Sequence, residues 1–251
     1  MNIDNLESHM NGCIERAVSY FKNYPEIKFW EILGGIQTDS GFRIEKGFIK
    51  SSEISQANAV TIRVYGSKGN IGSASGTSFT NENVKKLIDY AAKMMKVSLP
   101  NPDFHDLAIP PPSYPEIKKC WDSSLQTLNL EETEDIAKSF IDQYKRDPKI
   151  ISVSGGFGYG SGRVIVINSN GVEIKDKGTH CSISIEYTME DIIKGNKVNS
   201  NGGESQNYIY FNSFKQDMNS IFDMAYEKAV NGLNKTDIET GSYPVVLSPN
   251  A

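Results

Sequence analysis

The run Gly155-Gly-Phe-Gly-Tyr-Gly-Ser-Gly162 is the densest chemical signature in the chain, because a glycine-rich loop ahead of a helix can wrap backbone N–H groups around a phosphate. No register of the run satisfies Gly-x-Gly-x-x-Gly, and the β-branched Val164 to Asn168 follows it where a helix N-terminus would be needed. A nucleotide site is therefore disfavoured, and the run reads as a flexible turn joining two strands. Gly72-Ser-Ala-Ser-Gly76 approaches the Gly-x-Ser-x-Gly elbow of serine hydrolases, but its central position is Ala74 and no helix begins there.

Metal chemistry needs imidazole, thiolate or carboxylate groups on rigid elements, typically two on adjacent helical turns and a third from elsewhere. The chain has three histidines. His9 and Cys13 are four apart on a predicted helix, with Cys13 on its apolar stripe. His105 lies in a proline-rich stretch near Asp103 and Asp106 and reads as solvated. His180 shares the polar face of a predicted strand with Ser182 and Ser184, and a surface histidine is favoured there over a general base. None of the three is followed by Glu, so the chain holds no helix of the His-Glu type that supplies zinc ligands together with a water-activating carboxylate. The residues assign no catalytic, cofactor-binding or metal position.

The elements that would carry these residues follow from the apolar period. Leu6, Met10, Cys13, Ile14, Ala17 and Phe21 predict a helix from Asp4 to Tyr24, ended by Pro25. Short β-rich runs follow at Phe29 to Gln37, Phe42 to Ile54, Ala59 to Tyr65 and Ile71 to Ser75, with hairpin turns placed at Asp39-Ser-Gly41 and Gly66-Ser-Lys-Gly69. Thr80 caps a second helix carrying Val84, Leu87, Ile88, Ala91 and Met95. Prolines 100, 102, 110, 111 and 112 then force an ordered coil. A third helix is expected from Leu130 to Arg146 and a last one from Phe214 to Asn234. Between them lie strands at Ile150 to Ser154, Val164 to Asn168, Val172 to Lys175 and Thr179 to Thr188, with Ser169-Asn-Gly171 as a hairpin turn. The order helix, strands, helix occurs twice and predicts an α+β fold, with antiparallel sheets flanked by helices in two halves. The expected divisions are 1–97, a proline-rich connection 98–129, a second half 130–239, and 240–251 as the start of a further, truncated C-terminal domain. That last expectation rests on Tyr243-Pro-Val-Val-Leu247, which reads as an opening strand with nothing after it to pair with.

Composition narrows the class. With 31 acidic and 26 basic residues the net charge is −5, and no basic stretch follows a phosphate backbone, so nucleic acid is not an expected partner. No apolar run reaches the ~18 to 20 residues that cross a bilayer, and the start Met-Asn-Ile-Asp-Asn-Leu-Glu-Ser lacks signal-peptide character. Three scattered cysteines, Cys13, Cys120 and Cys181, fit a reducing compartment. A cytoplasmic protein is expected.

Several segments in order resemble the N-terminal portion of the TldD/PmbA (TldD/TldE) family of metallopeptidase components, some of which carry the label modulator of DNA gyrase. They are Val60-Thr-Ile-Arg-Val-Tyr-Gly66 with Ile71-Gly-Ser-Ala-Ser75, the stretch through Tyr114-Pro115, Asn168-Ser-Asn-Gly171, and Thr240-Gly-Ser-Tyr-Pro-Val-Val-Leu-Ser-Pro. The resemblance implies a two-component peptidase in which one subunit carries a His-Glu-x-x-x-His zinc helix and the other lacks it. That helix would follow the Pro-Val-Val-Leu strand, so no family metal-site position falls within this sequence. Ser248-Pro-Asn-Ala251 is closer to the metal-free PmbA branch than to a Gly-Pro-Gly continuation. The resemblance thus implies a non-catalytic chain that shapes a substrate cavity, zinc only in the zinc-bearing subunit, a homologous subunit as hetero- or homodimer partner, and peptide or unfolded polypeptide as substrate. The other reading open to the sequence is a stand-alone peptide-binding scaffold that acts by β-strand addition.

Overall fold

The computed structural model describes residues 3–234 and 239–247. The chain runs α1 (Ile3–Tyr20), β1 (Phe29–Glu45), β2 (Phe48–Tyr65), β3 (Ile71–Gly76), α2 (Asn81–Val97), α3 (Leu130–Gln143), β4 (Ile150–Asn168), β5 (Glu173–Ile193), β6 (Asn196–Tyr208) and α4 (Phe211–Leu233). The strands form a single curled antiparallel sheet in the order β3-β2-β1-β4-β5-β6. This is an α+β fold in which two helix–meander–helix units meet along β1 and β4.

Local chemistry explains the element ends. Thr80 accepts the Asn83 N–H at the start of α2. Asn129 and Glu132 form a reciprocal capping box at α3, which satisfies N-terminal donors that have no partner inside the helix. α1 stops as an α-helix at Tyr20 and tightens into a 3-10 turn, Phe21–Asn23, ahead of Pro25. Lys46-Gly47 and Lys194-Gly195 turn the β1–β2 and β5–β6 hairpins with both residues of each pair at positive φ, the conformation that two-residue hairpins with the native strand twist require.

Two sequence expectations are corrected here. Asp39-Ser-Gly41 is no turn: it lies within β1, paired with Ser55, Ile54 and Glu53 on β2 and with Gly160, Tyr159 and Gly158 on β4. None of the three residues has positive φ, and the chain reverses only at Lys46-Gly47. Gly155 to Gly162 is no flexible turn either. It is the middle of β4, held by ladders to β1 on one side and β5 on the other.

All four helices cover the same face of the sheet. Ile32, Ile36, Val60, Ile62 and Val64 pack with α1 and α2, whereas Phe42, Phe157, Ile183, Ile185 and Tyr187 pack with α3 and α4. The two cores interpenetrate across the midline. Phe42 and Ile44 of β1 join the second core, with Phe42 edge-on to Phe140 at 5.6 Å, and Ile165 of β4 joins the first. At the outer strands, glycine lets a helix backbone come close. A Cβ at Gly72 on β3 would collide with the Ala91 carbonyl of α2, and one at Gly202 on β6 with the Ala229 N–H and Ala225 carbonyl of α4.

The proline-rich coil is anchored along its length. Phe104 stacks on Tyr65 at 4.4 Å, the Asn168 amide donates to the Ala108 carbonyl at 2.8 Å, and the Thr179 N–H donates to the Cys120 carbonyl at 3.0 Å. Tyr243 to Leu247, expected as a strand, is irregular and exposed, with Val246 at 97%. Residues 248–251, included in the expected further domain, lie outside the described residues.

Candidate functional site

Among the described residues, no helix lies on the opposite face of the sheet. Because β-strand side chains alternate between faces, burying Phe157, Ser161 and Ile165 of β4 sends Gly156, Gly158, Gly160 and Gly162 to the open side. The central strand therefore presents backbone rather than side chains, and its neighbours add Gly35, Gln37 and Asp39 from β1 and Gly178, His180 and Ser182 from β5.

Gly160 has a definite use. Asp39, Gly160 and His180 lie in one register across β1, β4 and β5. The imidazole Nε2 of His180 meets Asp39 Oδ1 at 3.2 Å directly above the glycine. A Cβ at Gly160 would strike both the carboxylate and the ring. The Gln37 amide donates to the same oxygen at 3.0 Å. The Asp39–His180 bridge divides the open face into two hollows. One, of about 450 Å³, is floored by Gly35, Ala57, Ala59, Gly162, Val164 and Gly178. The other, of about 470 Å³, is more polar and includes Arg43, Ser51, Glu53, Ser55, Ser182 and Ser184.

The polar groups behind this face serve the fold. Arg163 is 7% exposed on the helix side, pairs with Glu7 at 3.1 Å and Asp4 at 3.5 Å from α1, and lies over the Trp121 ring at 3.9 Å. Asp122 accepts from the Ser124 N–H and hydroxyl and, with its second oxygen, from the Phe211 N–H at 2.8 Å, where α4 begins. Burial works against the Asp122 carboxylate, yet the hydrogen bonds from Ser124 and Phe211 together hold its pKa below the ordinary value.

The other candidates from the sequence do not converge. His9 is exposed whereas Cys13 is buried, and burial raises the Cys13 pKa. Burial, with Asp122 nearby, pushes Cys181 up to about 12, far from a reactive thiolate. His105 is exposed, and Asp106 accepts the Asn170 amide at 2.7 Å in a contact that docks the coil on the β4–β5 hairpin. Gly72 packs a helix, as described above. Among the described residues, no three His, Cys, Asp or Glu side chains cluster as a metal site would require. His180 is at the surface, as expected, but its partner Asp39 was not foreseen. The available signal was the alternation of glycine from 156 to 162, which has the period of one strand face.

Comparison with known proteins places this architecture. Residues 123–233 match the family model described as the PmbA/TldA metallopeptidase central domain. The matched segment is similar to the central domain of that family. It comprises α3, β4, β5, β6 and α4, so the glycine strand and His180 belong to it, while Asp39 comes from the preceding unit. The resemblance read from the sequence is borne out. The fold of the whole chain is similar to that of a Bacteroides thetaiotaomicron protein named for modulation of DNA gyrase, with TM-score 0.77 and 18% identity over 97% of this chain and 53% of that one. A Thermotoga maritima protein of the same name gives TM-score 0.76 and 15% identity over 92% and 50%. TldE from Thermococcus kodakarensis gives 0.69 and 18% over 87% and 47%. The chain thus spans about half the length of these structures. No curated protein matches it in sequence.

Proposed function

We propose that this chain is the N-terminal and central region of a TldD/PmbA-like metallopeptidase component, non-catalytic itself, whose open sheet face forms a wall of a chamber for peptide or unfolded polypeptide. The observation that carries the reading is the open face, free of helices among the described residues: a glycine strand at its centre, flanked by small polar residues, inside a segment that matches a family central domain. Such a floor offers room, backbone dipoles and small hydroxyls, and no cluster of three His, Cys, Asp or Glu side chains lies on it among the described residues. Zinc and the hydrolytic step are assigned to a homologous zinc-bearing subunit, with which this chain pairs in the cytoplasm. No helix among the described residues is long and apolar enough to cross a membrane. Direct action on DNA is not part of the proposal, since the net charge of −5 opposes it.

The test is reconstitution. The chain alone should hold no stoichiometric zinc by elemental analysis and cleave no peptide. Co-expression with a homologous subunit bearing His-Glu-x-x-x-His should give a complex on size exclusion that hydrolyses unfolded polypeptide. One tightly held zinc per chain, or hydrolysis by the chain alone, would falsify the proposal. A stand-alone scaffold role draws support from β6, an edge strand with no strand partner on its outer side among the described residues. That reading predicts peptide binding with no affinity for the zinc-bearing subunit.

A further inference from the structure

Glycines on the open face fall into two kinds. Gly160 is required by its neighbours, and so is Gly156, where a Cβ would collide with the Phe42 carbonyl. Gly35, Gly158, Gly162 and Gly178 are different. A Cβ on them would meet its nearest atom at 3.9 Å (Arg163 O), 3.5 Å (Ser182 Oγ), 3.4 Å (Ile36 O) and 3.7 Å (Cys120 O), which are ordinary contacts, and none of the four has positive φ. The fold has room for a Cβ at each. Glycine weakens a strand interior, and where neither a bulge nor a turn explains it, it marks a place where a ligand or another backbone approaches closely. Three of the four, Gly35, Gly162 and Gly178, floor the same hollow together with Ala57 and Ala59.

The chemistry of the face narrows the occupant. Asp39 is bridged to His180, and Arg43 and Glu53 are diagonal neighbours across β1 and β2, since Arg43 pairs with Ser51 and Gly41 with Glu53. The groove thus presents both signs of charge and small hydroxyls, complementing a neutral chain of alternating dipoles rather than a polyanion or an anionic bilayer. From Gly156 to Gly162 the glycine row measures about 20 Å, the length of about six extended residues. The Asp39–His180 bridge crosses it above Gly160, so a chain laid along it runs over the bridge and reaches the strand on either side. We propose that the open face binds an extended polypeptide segment of about six residues along β4, with one bulky apolar side chain seated over Gly35, Gly162 and Gly178. This assignment rests on the reading of the face as a chamber wall for polypeptide and adds to it a location and a side-chain preference.

The experiment compares wild type with Gly162→Val and Gly35→Ala, each in the full chain, by anisotropy of a fluorescein-labelled Ser/Thr peptide with one central Phe and of the same peptide with Ser in that place. Wild type should bind the Phe peptide at least about tenfold more tightly than the Ser peptide. Both variants should lose that preference while their Tm is unchanged or raised, because a side chain added where there is room restricts the unfolded chain. The assignment is overturned if wild type shows no saturable binding, if the variants bind as wild type does, or if both variants melt earlier, which would make these glycines a need of the fold. Complex formation with the zinc-bearing subunit is scored separately. An active wild-type complex whose chain shows no Phe preference would remove this inference and leave the proposed function standing.

Discussion

Arg163 joins three segments that are far apart in sequence: α1 through Glu7 and Asp4, the end of the proline coil through Trp121, and β4 on which it stands. A buried guanidinium with ion pairs and an aromatic face leaves uncompensated partners when it is cut back. Arg163→Ala should cost about 2–4 kcal/mol in urea denaturation, and Arg163→Lys about 1–2 kcal/mol, because lysine restores charge but neither the fork nor the stack. Asp122 makes a second prediction, one that depends on pH. Its carboxylate is held below the ordinary value of 3.8 in the folded chain by bonds that exist only there. A depressed folded pKa contributes stability that is complete above the unfolded value and is lost as pH falls through the folded one. Stability measured from pH 6 downward should therefore drop below about pH 4, and Asp122→Asn should flatten that drop while lowering the plateau by about 1–3 kcal/mol. An unchanged slope in the variant would show that other carboxylates, Asp147 among them, carry the acid sensitivity.

At the scale of elements, the contrast between glycines decides what each strand is for. Gly202 admits the backbone of α4 against β6, so Gly202→Val should force the helix away and cost at least about 3 kcal/mol, read as a fall in Tm, whereas Gly162→Val should leave Tm unchanged or raised. Sequence reasoning found the helices because their apolar stripes and caps are local: Thr80 and the stripe of Val84, Leu87, Ile88, Ala91 and Met95 announce α2 without reference to anything else. The Asn168-to-Gly171 hairpin was legible for the same reason, since Asn168 Oδ1 accepts the Asn170 and Val172 N–H groups within the turn itself. Strands carrying glycine were not legible. Local propensity reads Gly155 to Gly162 as a break, and only the ladders from β1 and β5 on either side hold it extended. The Asp39–His180 bridge was hidden for a related reason, because it depends on a register between strands on opposite sides of β4 and on a missing side chain in between.

At the scale of the whole molecule, the two helix–meander–helix units look separable along the sequence and are not separable in space. β1 and β4 pair continuously from Glu31 with Asn168 to Ile44 with Gly155, and each core borrows residues from the other unit: Phe42 and Ile44 in one direction, Ile165 in the other. Unfolding either unit alone would strip a central strand of its ladder and expose apolar surface in the unit left behind, so the two should unfold together. The two tryptophans test this, one in each region: Trp30 is stacked on Phe21 at 4.7 Å beside the first core, and Trp121 lies on Arg163 where the coil meets β4. In Trp121→Phe the fluorescence reports the first unit, and in Trp30→Phe it reports the junction with the second. Once each curve is referred to its own variant's circular-dichroism transition, fluorescence and far-UV signal should share one midpoint in both variants. A Trp30 signal lost at clearly lower denaturant than the bulk of the secondary structure would mean that the first unit melts by itself, and that the β1–β4 seam is a joint between two independently stable bodies rather than the centre of one sheet.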